Sequence, residues 1–88
     1  MGNVERLMTQ SFVYNTTPGQ AYVYDSDIAY VNLLFVGREG LEFDVVYSND
    51  PTFTPGSRQV QYSNAFGYLK FAVDFNVGET VQIIIGEI

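Results

Sequence analysis

Residues 76–88 read NVGETVQIIIGEI. Asn76, Gly78 and Glu79 are turn formers, and the apolar, β-branched run Thr80-Val81-Gln82-Ile83-Ile84-Ile85 follows them. Successive side chains of a strand point to opposite faces, so a strand with one wet face should alternate apolar and polar residues. This one alternates and then places three isoleucines in a row. Val81, Ile83 and Ile85 make the row expected in a core. Ile84 falls on the opposite row, with Thr80, Gln82 and Gly86.

The same punctuation runs back through the chain. Clusters of Gly, Pro, Asn, Asp and Ser at 15–20, 25–27, 37–40, 48–57, 63–67 and 76–79 separate short runs of Val, Ile, Phe, Tyr and Leu. The runs predict strands over 10–15, 20–25, 28–36, 41–48, 57–63, 66–75 and 80–87. About seven short, evenly spaced strands imply an all-β domain, an antiparallel β-sandwich or jelly-roll-like fold. Residues 10–88 form the single domain. Residues 1–9 form an arm or a short helical turn that places Val4, Leu7 and Met8 on one side.

Sorting each strand by alternation predicts a core of Ala29, Val31, Leu33 and Phe35; Leu41, Phe43, Val45 and Tyr47; Leu69, Phe71, Val73 and Phe75; and Val81, Ile83 and Ile85. The opposite rows hold Leu34, Val36, Val46, Tyr68, Ala72 and Ile84, which alternation leaves outside. If 28–36, 41–48 and 80–87 are neighbours, these residues cluster, and a contiguous apolar patch marks a contact surface. The expected protein interface comprises Val4, Leu7, Met8, Leu34, Val46, Tyr68, Ile84 and Ile88. The 80–87 strand is expected at a sheet edge, open to pairing with another chain.

Composition narrows the function. At 88 residues the chain buries one small core, for which association with other chains is a common remedy. Cysteine and histidine are absent, removing disulfides, the usual zinc ligands, the commonest general base and the thiolate nucleophile. Four basic against 10 acidic residues give a formal charge of −6, unsuited to nucleic acid or to an anionic membrane surface. No apolar run approaches the ~20 residues of a spanning helix. MGNVERLMTQ lacks the basic and apolar regions of a secretory signal.

Glu42 and Asp44 fall at i, i+2, about 7 Å apart on one strand face, a spacing compatible with a glycosidase pair but better read as a solvated face. Asp25, Asp27, Asn49 and Asp50 are oxygen donors that read as turn residues rather than a calcium loop. No catalytic residue, cofactor or metal is therefore expected. Among the tyrosines, Tyr22 and Tyr24 share a strand face, where rings suit sugar stacking or a protein interface.

Residues 67–85, GYLKFAVDFNVGETVQIII, resemble the last two strands of small β-sandwich modules in bacteriophage virion proteins. The shared elements are Gly67-x-Leu69-x-Phe71 and a Gly78-Glu79 turn before Val81-x-Ile83. The resemblance implies a small structural domain that decorates or cements a capsid, or builds a head fibre or tail. It transfers no catalytic or binding residue. The expected function is that of a non-enzymatic virion component, assembled in the host cytoplasm. It would act by homo-oligomerisation or by binding a larger shell protein. The alternative is a carbohydrate-binding or adhesin module using Tyr22 and Tyr24.

Overall fold

The computed structural model describes residues 8–87, with the side chains of residues 9–86. The arm residues Val4 and Leu7, the side chain of Met8, and Ile88 lie outside the described residues. Eight strands alternate with turns: β1 (Met8–Asn15), β2 (Tyr22–Tyr24), β3 (Asn32–Arg38), β4 (Leu41–Glu42), β5 (Asp44–Tyr47), β6 (Gln59–Ser63), β7 (Tyr68–Lys70) and β8 (Thr80–Glu87), with one 3-10 turn at Ser26–Ile28. They form two four-stranded sheets, ordered β1-β8-β3-β4 and β2-β7-β6-β5. The fold is an all-β sandwich. First pairs with last and second with next-to-last, the nesting of a chain folded back on itself, as in a jelly roll.

The isoleucine run sits in the middle of its sheet. β8 pairs with β1 on one side and β3 on the other, so the expected edge strand is a central one. Val81, Ile83 and Ile85 point into the core beside Leu33, Val36, Val60, Tyr62 and Leu69. Burying each large side chain there is worth ~1.5–3 kcal/mol.

Three local events change the expected rows. In β3 the register shifts between Leu33, opposite Ile85, and Phe35, opposite Ile84. Leu34 is the extra residue of a β-bulge, and a bulge exchanges the two faces. Leu33 and Val36 therefore both enter the core, and Phe35, expected there, turns outward. At Phe43 the predicted 41–48 strand breaks in two. The Phe43 N–H still bonds Val36 O of the first sheet, at 2.9 Å, while the Asp44 N–H bonds Arg58 O of the second, also at 2.9 Å. The chain changes sheets here, as strands do at sandwich corners. Phe43 turns its ring edge-on to Phe71, centroids 5.2 Å apart, and Leu41 and Tyr47 at either side are exposed. Glu42 and Asp44 consequently belong to different sheets.

The third event follows β7. Phe71 and Phe75 are buried, but the ladder ends at Lys70, ahead of both, and Val73 is 62% exposed. Arg38 is the cause. Its guanidinium donates to Val73 O at 2.6 Å and Asp74 O at 2.7 Å. It also bridges to Glu79 at 2.9 Å and lies over the rings of Phe71 and Phe75, 5.3 and 4.5 Å from their centroids. A desolvated guanidinium between two aromatic faces and three acceptors anchors the loop to the core.

One pair departs from the antiparallel expectation: β5 and β6 run parallel. Parallel neighbours need a connection that returns along the strands. Residues 48–58 provide it, and in doing so cross the outer face of the second sheet.

Candidate functional site

The outer faces of the two sheets are the candidate surfaces. On the first sheet, Ile84 lies opposite Phe35 on β3 and Ser11 on β1, with Val13 diagonally placed beside Gln82. Leu34 settles over Gly86: a Cβ there would stand 2.9 Å from Leu34 Cδ1. Phe35 likewise lies on Gly37, where a Cβ would meet its ring at 2.8 Å. The two glycines are seats for the side chains that the bulge turned outward, a device that shields strand glycines. The result is a low apolar surface across three adjacent strands, with Val13 65% and Leu34 45% exposed and Phe35 and Ile84 half-buried.

The second sheet is treated differently. Gln61 is fully buried on its outer side, and its Nε2 donates to Ser48 O at 2.9 Å and Asp50 O at 2.8 Å. Ser63 Oγ donates to Asn49 Oδ1 at 2.7 Å, and the Ala65 N–H reaches the same oxygen at 3.2 Å. Lys70 Nζ donates to Pro51 O at 3.2 Å. The 48–58 loop is thus fastened over β6 by side chains rising from the sheet. Asp50 accepts from the Thr52 N–H and hydroxyl at 2.9 and 2.8 Å, and these bonds hold its carboxyl below the usual range.

The loop stops short of the edge strand. Tyr22 lies opposite Lys70 and Tyr24 opposite Tyr68. With Pro51 these residues line a shallow open groove of about 260 Å³. Tyr22 and Tyr24 are 48% and 65% exposed.

The expected interface does not form one patch. Leu34 and Ile84 meet on the first sheet, whereas Val46 on β5 and Tyr68 on β7 belong to the second. The backbone of Met8 opens β1, opposite Glu87. Val4, Leu7 and Ile88 are outside the described residues. Phe35 and Val13 escape the expected interface: the bulge hides Phe35 from alternation, and Val13 is a lone apolar residue among Thr9, Ser11 and Asn15 on the outer row of β1. Tyr22 and Tyr24 do share a face, but Tyr14 belongs to the first sheet, stacked with Phe12 at 6.2 Å. Burial, and then the neighbouring Asp25 carboxylate, pushes the Tyr14 phenol well above its ordinary pKa.

The remaining polar candidates are turn and packing groups. Asp25 Oδ1 accepts from the Asp27 N–H at 2.9 Å, capping the 3-10 turn. Tyr62 is buried; its hydroxyl donates to Ile28 O and accepts from the Val31 N–H at 3.2 Å. Among the described residues no group of three or more Asp and Glu is placed to hold a metal ion. Gly67 and Gly78, which carry the resemblance to virion modules, have local reasons to be glycine. Both take a positive φ, and a Cβ on Gly67 would stand 2.7 Å from Asp25 O. Compared with protein-family models, with curated proteins and with solved structures, the chain has no match.

Proposed function

We propose that this chain is a non-enzymatic structural protein that works by being covered: the first sheet's outer face packs against another copy of itself or a larger shell protein. The observation that carries this reading is the Leu34–Phe35–Ile84 surface with Val13 beside it, apolar across adjacent strands and, among the described residues, with no loop laid over it. Contiguous apolar area of this kind marks interaction sites. β1 also ends the sheet, and its open backbone groups favour strand addition by the same partner. A phage-like virion is the setting that the 67–85 pattern supports, with capsid decoration, head fibre and tail as its forms.

Light scattering after size exclusion, with thermal melts, tests the reading. Ile84→Asp and Val13→Lys should each lower the association constant about 10- to 100-fold and leave a cooperative melt. A wild-type chain that stays monomeric at high concentration and ignores a candidate shell protein would remove it. Outright unfolding of Ile84→Asp would instead assign Ile84 to the core, and Val13→Lys, on an exposed edge position, keeps the test open in that case.

A further inference from the structure

We propose that the groove of Tyr22, Tyr24, Tyr68, Lys70 and Pro51 is a second binding site, which takes a proline-rich segment of a partner protein in the polyproline II conformation. It lies on the second sheet, so it stands or falls independently of the assembly face.

The groove has three structural parts. Tyr22 and Tyr24 rise from β2, the edge strand; Tyr68 and Lys70 stand on the neighbouring β7; Pro51 comes from the crossover loop. Lys70 ties the loop to the sheet through Pro51 O, and the Tyr68 hydroxyl lies 3.3 Å from Gln61 Nε2, sharing a hydrogen that the amide also directs to the loop carbonyls. The loop and Tyr68 are therefore positioned before any ligand arrives, which lowers the ordering cost of binding.

The chemistry of the lining selects the ligand. Four of the five side chains offer rings, three flat phenols and the pyrrolidine of Pro51. The polar groups are phenol hydroxyls and one ammonium, which spends one hydrogen on Pro51 O and keeps two. No carboxylate or amide side chain is among the lining residues. Sugar hydroxyls donate as well as accept and call for such acceptors. A polyproline II segment is the complement: its backbone carbonyls are unpaired, proline has no N–H, and its rings project from a helix that is already ordered. Aromatic-lined grooves bind such segments by this match. Lys70, the one charged group in the lining, selects against a segment that turns a basic residue toward it.

The test is a titration of the ¹⁵N-labelled full chain with decaproline, followed by amide chemical shifts. Saturable shifts are expected over Tyr22–Tyr24, Tyr68–Lys70 and Thr52, with none from a Gly-Ser peptide of equal length. Tyr24→Ala should weaken binding about tenfold, and Tyr24→Phe, which keeps the ring, about threefold or less. The spectra of both variants report whether the fold is intact. Three results would overturn the proposal: no saturable shift with millimolar decaproline on the folded wild type, shifts mapping elsewhere, or unchanged affinity in a folded Tyr24→Ala. Shifts at these residues from cello-, malto- or chitohexaose but not from decaproline would reassign the groove to sugar.

Discussion

The two sheets finish their outer faces in opposite ways. The second is roofed by the chain's own crossover loop, held by Gln61, Ser63 and Lys70. Among the described residues the first has no crossover above it, and its shielding is two side chains laid on two glycines, Leu34 on Gly86 and Phe35 on Gly37. The difference follows from strand direction. A parallel pair obliges the connection to travel back along the strands, and that path supplies a cover. Antiparallel neighbours joined by a tight turn, as at Glu39-Gly40 with both residues at positive φ, leave nothing to spare. Among the described residues the first sheet's outer face is therefore the less covered, and the roofed sheet keeps only the strip along β2.

If the roof is a fixed part of the fold, removing its central fastener should produce the largest stability effect. Gln61→Ala empties a fully buried site and leaves two loop carbonyls without their donor, so a loss of about 2–4 kcal/mol is expected. Chemical denaturation measures it. A loss below a few tenths would mean that the loop lies on the sheet without being held there. Asn49→Ala should cost less, about 1 kcal/mol, because its oxygen serves two donors at the loop margin. Hydrogen exchange should show faster exchange at Ala65 while β8 stays protected.

Acid should separate the faces most gently. The Asp50 carboxyl titrates below its unfolded value, so its contribution is present above about pH 3.9 and is lost as pH falls through the folded value. Glu79, lowered by Arg38 and then by the Asn76 N–H, behaves the same way. The predicted result is a lower protection factor at the Thr52 amide, taken relative to its intrinsic exchange rate, as pH falls below about 4, while any association through the uncharged Val13, Leu34, Phe35 and Ile84 persists. Loss of association over the same pH range would tie the assembly face to the roof after all.

What the sequence discloses and what it hides divide along locality. Val81, Ile83 and Ile85 are readable as core because alternation is a property of one strand. Tyr22 and Tyr24 are readable as partners on one face for the same reason. The bulge at Leu34 is not, since one extra residue leaves no compositional trace and reverses every later assignment in β3. Nor is the exposure of Val73, which depends on a guanidinium far away in sequence that takes its carbonyl. Phe43 reads as an inward residue of one strand, and nothing nearby says that the strand ends there and another sheet begins. Pro51 joins the tyrosines only because β5 and β6 run parallel, a fact of topology that the residues of the loop do not record.

The central position of β8 also fixes when the first sheet can close on the ribosome. β5, β6 and β7 are synthesised one after another and can pair as they emerge. β1 and β3, made much earlier, have no common neighbour until β8 appears. Closing such distant segments is slow. During translation the growing polypeptide must carry β1 unmatched and β3 held only by the short β4, until the isoleucine-rich segment joins them.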